Sequence, residues 1–116
     1  MQETHTLPLR STLLATDPDL LDLVRDFVLG LDRRISDMQQ ARSAGDWIRL
    51  RSLAHQLKGA GGSYGYPDLS DLAAQLESVA LATQPAAADH LLSEIQALIV
   101  SSKAALAIHD DPGTRN

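Results

Sequence analysis

Three glycines stand where an uninterrupted helix is otherwise written. From Asp46 the chain sets Leu50, Leu53, Ala54 and Leu57 at helix spacing. It then meets Gly59, Gly61 and Gly62, while the apolar rhythm continues through Ala60 to Tyr64. A glycine inside a helix costs about 1 kcal/mol relative to alanine, and three cost roughly 2–3 kcal/mol. A helix that served packing alone would not be expected to carry them.

Their positions on the helix supply a reason. At ~100° per residue, with Leu57 at the centre of the buried stripe, Leu50, Leu53, Ala54, Ala60, Gly61 and Tyr64 fall within roughly 60° of it. His55 falls almost opposite. Gly59 and Gly62 lie one and two turns beyond His55 on the same outward face, and Lys58 sits at the flank. The helix therefore shows solvent an imidazole beside bare backbone, with an ammonium within reach. Gly61 faces inward, where a missing side chain lets a neighbouring helix come close. This arrangement suits a ring nitrogen that carries a bulky group while a second protein docks flush against the helix. Lys58 would offset the charge of a phosphoryl group.

The stretch AHQLKGAGGSYGYPDLSDLAAQLE, residues 54–77, resembles the signature of histidine-containing phosphotransfer (HPt) domains of bacterial phosphorelays. That pattern is His, Lys three on, Gly four on, a small residue seven on and Gly ten on. His55, Lys58, Gly59, Gly62 and Gly65 match each position, and a looser likeness covers most of the chain. The resemblance implies that His55 is phosphorylated and that Lys58 stabilises the phosphoryl group. It implies receiver domains of response regulators, or a hybrid sensor histidine kinase, as partners, with Mg²⁺ and most of the catalytic machinery on the receiver. This chain would then need no cofactor of its own. Many HPt domains place a glutamine near position 77 to hydrogen-bond the active imidazole, and here the residue is Glu77. If the fold brings it to His55, a carboxylate would orient the ring and also repel an incoming phosphoryl group. A plain surface glutamate is the other reading.

The rest of the chain predicts an all-α, up-down-up-down antiparallel four-helix bundle over residues 17–108. Residues 1–16 form an N-terminal arm or a short extra helix, with Leu7, Leu9, Leu13 and Leu14 available to pack, and residues 109–116 read as a disordered tail. Asp17 and Pro18 open the first helix as cap and first turn. Leu20, Val24, Phe27, Leu31, Ile35 and Met38 give it a stripe in steps of three and four, with Gly30 off the stripe and Gly45 as the stop. Asp46 caps the second helix, which Gly65 ends. Tyr66-Pro67-Asp68 turns the chain into a third helix with Leu69, Leu72, Ala73, Leu76, Val79 and Ala80 inward. Thr83-Gln84-Pro85 breaks the chain before a fourth helix from about Ala86 to Ile108. Its inward face holds Ala88, Leu91, Leu92, Ile95, Leu98, Ile99, Ser102 and Leu106.

Several classes of function fit poorly. The 116 residues suit one domain, and the absence of cysteine excludes disulfides and thiolate metal sites. Net charge is −5 with no basic run, which argues against nucleic acid and anionic membrane as partners. No apolar run approaches the ~20 residues of a spanning helix, and the N-terminus lacks a signal-peptide core, so a cytoplasmic, monomeric protein or module is expected. The glycines do not make a nucleotide loop: Gly-x-Gly-x-x-Gly would need glycine at Tyr64, and Lys58-Gly59 precedes the glycines instead of following them. The chain therefore reads as a phosphocarrier without its own ATP-binding or kinase domain, and a dimeric histidine kinase core is disfavoured. His5, His90 and His109 have no partner motif and no metal-ligand spacing, so no metal site is assigned.

Arg51, Ser52, Gln56 and Ser63 flank His55 and stand, with Gly59 and Gly62, as candidates for partner docking; ordinary surface solubility explains the four side chains equally well. The alternative to phosphotransfer is a non-catalytic helical adaptor that binds a signalling partner through the His55 face. The presence of both His55 and Lys58 favours phosphotransfer.

Overall fold

The computed structural model describes residues 9–110, and every regular element among them is helical. Helix α1 covers Thr12–Thr16, α2 Leu21–Leu29, α3 Leu31–Ser43, α4 Trp47–Ser63, α5 Pro67–Leu81 and α6 Pro85–Asp110, with a 3₁₀ turn at Pro18–Leu20 between α1 and α2. Helices α3, α4, α5 and α6 pack in cyclic order, each on the next and α6 back on α3. The described residues thus form an all-helical bundle with an extra N-terminal helix.

The first long arm departs from the expected single helix. Asp17 caps a 3₁₀ turn, its carboxylate accepting from the Asp19 N–H at 3.2 Å, because Pro18 has no N–H and fixes φ for a tight start. The arm is then interrupted for one residue at Gly30 (φ −82°, ψ −8°), which stays in the right-handed region, before Leu31 starts α3. Both halves bury their stripes: Val24, Phe27 and Val28 before Gly30, Leu31, Ile35, Met38 and Ala41 after it.

The core is aliphatic. Leu50, Leu57, Leu76, Ile95 and Ile99 are each at most 1% exposed, and full burial of such a side chain contributes about 1.5–3 kcal/mol. Three of the chain's four aromatic residues gather at one end of the bundle. Phe27 stacks on Tyr64 with ring centroids 4.6 Å apart and lies 6.0 Å from Tyr66. The local sequence pattern gives Tyr66 only a turn position, yet it is 1% exposed and belongs to this core. Burial raises its hydroxyl pKa to about 12.

Three loops end their helices by the same device. At Gly65 the N–H of Tyr66 bonds back to the Gly61 carbonyl (2.8 Å) and that of Gly65 to Gly62 (3.3 Å). The pattern repeats at Gly45 and at Thr83, each with positive φ. Pro67 and Pro85 are the first residues of α5 and α6, so Pro67-Asp68 opens a helix instead of closing a turn. Helix α6 runs through Asp110, two residues into the segment expected to be a tail. Residues 1–8 of the arm and 111–116 of the tail lie outside the described residues.

The N-terminal segment is tied to the α4–α5 connection. The Ser11 hydroxyl donates to the Tyr64 carbonyl (2.6 Å), and the Thr12 N–H donates to the Gly65 carbonyl (2.7 Å). This contact defines a second constraint at Gly65. A Cβ there would sit 2.4 Å from the Leu13 nitrogen, on top of the strain of φ +87°.

Candidate functional site

Helix α4 owes its start to Asp46, whose carboxylate accepts from the Arg49 N–H at 3.1 Å. Its buried stripe is Leu50, Ala54, Leu57 and Gly61. With that stripe inward, His55 is turned outward, and its side chain is 66% exposed.

Helix α5 returns antiparallel to α4, and Gly61 sets the spacing between them. A Cβ on Gly61 would lie 3.2 Å from the Ser70 nitrogen, so the missing side chain is what admits the α5 backbone. The Ser70 hydroxyl reinforces this seam by donating to the Lys58 carbonyl at 2.7 Å. Seven residues after Ser70, two turns on, Glu77 reaches the same seam beside His55.

Glu77 joins His55 and Lys58. Its Oε2 lies 3.0 Å from His55 Nδ1, and its Oε1 lies 3.5 Å from Lys58 Nζ. The Glu77 side chain is 22% exposed. Burial pushes its carboxyl up, but the His55 hydrogen bond and the Lys58 charge outweigh that and hold it below the ordinary glutamate value of 4.5. At neutral pH it is therefore a carboxylate, which only accepts hydrogen bonds. Nδ1 must then carry the hydrogen it donates. In the neutral ring this leaves the Nε2 lone pair free and directed away from α5. Such a ring can act as a nucleophile through one defined nitrogen.

The glycines differ in what surrounds them. A Cβ at Gly59 would meet nothing within 4 Å, and one at Gly62 would meet only the Ser70 hydroxyl at 3.6 Å. Both are exposed, so neither packing nor backbone strain requires glycine there. The surface beside His55 is bare backbone.

The structure thus brings His55, Lys58 and Glu77 together. Arg51, Ser52, Gln56 and Ser63 are exposed on the same helix. By helical rotation, Arg51 lies toward α5 with Lys58, while Gln56 and Ser63 lie on the opposite edge. Sequence reasoning missed Ser70 and two exposed apolar residues, Ile48 and Leu81. Ile48 carried a readable signal, since it lies seven residues before His55. Among the described residues no group of three or more His, Asp or Glu could hold a metal ion, and no helix is long and apolar enough to cross a membrane.

Residues 22–101 match the family model of the Hpt domain. Neither the curated proteins nor the solved structures gave a significant match. The matched span runs from α2 into α6 and encloses the imidazole, the lysine, the glutamate and the open glycines, so the chain belongs to the Hpt domain family, whose members transfer phosphoryl groups on histidine in two-component systems.

Proposed function

We propose that this chain is a phosphohistidine carrier, passing a phosphoryl group on His55 between aspartates of receiver domains in a phosphorelay. The observation that carries the reading is the 3.0 Å contact between His55 Nδ1 and Glu77, which leaves Nε2 as the free nitrogen on an exposed ring.

The transfer follows from that geometry. The Nε2 lone pair attacks the phosphorus of an aspartyl phosphate on the partner. The N–P bond forms as the P–O bond to the aspartate breaks, and the carboxylate leaves with the bonding pair. The ring becomes cationic as Nε2 is phosphorylated, and Glu77 holds the proton on Nδ1 and balances that charge. Lys58, now 3.5 Å from Glu77, would turn toward the phosphoryl oxygens. Gly59 and Gly62 let the partner's loops approach the helix closely. Mg²⁺, if it assists, belongs to the receiver.

The test is direct. The protein is mixed with receiver domains phosphorylated on aspartate, and acid-labile, alkali-stable label is followed. Transfer to the wild type and none to His55→Gln is the expected result. Label on the mutant would show a different acceptor. No label on the wild type from any receiver tried would favour a helical adaptor that binds through this face.

A further inference from the structure

A cavity of about 260 Å³ lies between α1, the start of α2 and the end of α6, and neither His55, Lys58 nor Glu77 lines it. Its floor is buried and is made by Tyr66 with Ala105 and Leu106 of α6. Leu14, Pro18 and Leu21 form apolar sides. Arg10 stands at the exposed rim and is the one charged residue of the lining. The volume is at the small end of pockets that take small molecules.

Two groups of this lining have nothing to bind. Among the described residues the Tyr66 hydroxyl has no hydrogen-bond partner and Arg10 has no ion-pair partner. A tyrosine that is 1% exposed ordinarily finds a partner for its hydroxyl. Burial pushes that hydroxyl up to about 12, so it is a neutral donor at physiological pH. The Ser11 hydroxyl, by contrast, is fully used: it donates to the Tyr64 carbonyl at 2.6 Å and accepts from the N–H groups of Leu13 and Leu14. That bond pins the residue after Arg10 to the residue two before Tyr66. The two unpartnered groups therefore come from segments held together, while Leu14, Pro18 and Leu21 lie farther along the chain.

We propose that this cavity binds a medium-chain carboxylate, a molecule with an unbranched apolar tail and one anionic head. At about 30 Å³ for a water-sized group such as a methylene, the space suits a chain of about eight carbons. The tail lies against Leu14, Leu21 and Leu106. The Tyr66 hydroxyl donates to one carboxylate oxygen, and the Arg10 guanidinium pairs with the head at the rim. One guanidinium and one hydroxyl suit a monoanion with two oxygens; a phosphate would keep charge and oxygens uncovered. The proposal is independent of the phosphotransfer reading, since it uses none of the residues around His55.

The experiment titrates the full-length protein with sodium octanoate, with octanol and acetate as comparisons, and follows backbone amide NMR shifts and thermal melts. Octanoate should bind with a Kd of about 1 mM or lower, move the amides of Ser11, Leu14, Ala105 and Leu106, and raise the melting temperature. Octanol should bind more weakly, and acetate should not bind. Tyr66→Phe keeps the ring and should weaken octanoate binding about fivefold. It should leave the melting temperature of the unliganded protein unlowered, because no hydrogen bond is lost. Arg10→Gln should weaken octanoate binding about threefold and erase its advantage over octanol.

No shift at about 10 mM octanoate would mean that the cavity holds water only, and would overturn the proposal. Equal binding of octanoate and octanol to the wild type would overturn the carboxylate. An unchanged Kd in both variants would put the ligand elsewhere. Contacts from the Tyr66 ring to Leu7 in NMR spectra of the unliganded protein would show the chain's own start filling the space, and would overturn the proposal as well.

Discussion

Glu77 and His55 face each other across the α4–α5 seam, with Oε2 3.0 Å from Nδ1. The two residues are 22 positions apart, and three features of the chain make them neighbours: the turn at Gly65, the close helix approach at Gly61, and the two-turn step from Ser70 to Glu77. The contact decides which ring nitrogen is free.

Removing the carboxylate should therefore act on the chemistry more than on the fold. Glu77→Ala should slow phosphoryl transfer to His55 by about tenfold, the scale of one hydrogen bond to a charged group. Glu77→Gln keeps an acceptor and should remain within about threefold of wild type. Nitrogen-15 NMR of the imidazole checks the cause. The wild type should show hydrogen on Nδ1, and Glu77→Ala a mixture of tautomers. A wild-type ring with hydrogen on Nε2 would contradict the assignment.

The same carboxylate predicts how stability depends on acid. Its folded-state pKa lies below 4.5, held there by His55 and Lys58 against the opposing effect of burial. A depressed carboxyl stabilises the fold above its unfolded value and loses that contribution as pH falls through the folded one. The stability difference between wild type and Glu77→Gln should stay level down to pH 4.5 and narrow below it. Urea melts at a series of pH values measure this. A difference that widens on acidification would reverse the sign.

How much of this was legible in the sequence depended on the kind of signal. The helical stripes and the outward turn of His55 followed from periodicity, because burial alone fixes which face is inward. The break at Gly30 did not, since the stripe from Val24 to Met38 runs across it unbroken. Tyr66 stands in the α4–α5 connection as the local pattern predicts, but its burial is not legible there because it packs toward Phe27, thirty-nine positions away in the chain. Local pattern does not decide the Glu77 contact for a similar reason: its reach depends on how closely α5 approaches at Gly61. Local pattern shows which face a residue takes, and the packing of the helices decides what it meets.

Thr83 offers a test that leaves the site untouched. It holds φ +51° at the end of α5, where its N–H closes onto the Ala80 carbonyl at 3.1 Å. A β-branched residue is strained there by roughly 2 kcal/mol, and glycine is not. Thr83→Gly should stabilise the protein by about 1 kcal/mol, despite glycine's greater freedom in the unfolded chain. The melting temperature should rise by roughly 4 °C. A fall would mean that the Thr83 hydroxyl bond to Ala82, 2.7 Å long, outweighs the strain.

The glycines divide into two classes that substitution should separate. At Gly65 an alanine would meet both φ +87° and atoms at 2.4 Å, so Gly65→Ala should destabilise by about 3 kcal/mol or more. At Gly61 the nearest atom is the Ser70 backbone nitrogen at 3.2 Å, and α5 can yield only by sliding away from α4. Gly61→Ala should cost less than Gly65→Ala and should loosen the His55–Glu77 contact. At Gly59 a Cβ meets nothing within 4 Å, and there alanine should stabilise α4 by about 0.5–1 kcal/mol. If that bare surface exists for a docking partner, the stabilised Gly59→Ala protein should accept phosphoryl from a receiver more slowly than wild type. Thermal melts and transfer rates on the same three proteins make the comparison. A Gly59→Ala variant that is both more stable and as fast in transfer would mean that the open backbone beside His55 has no part in docking.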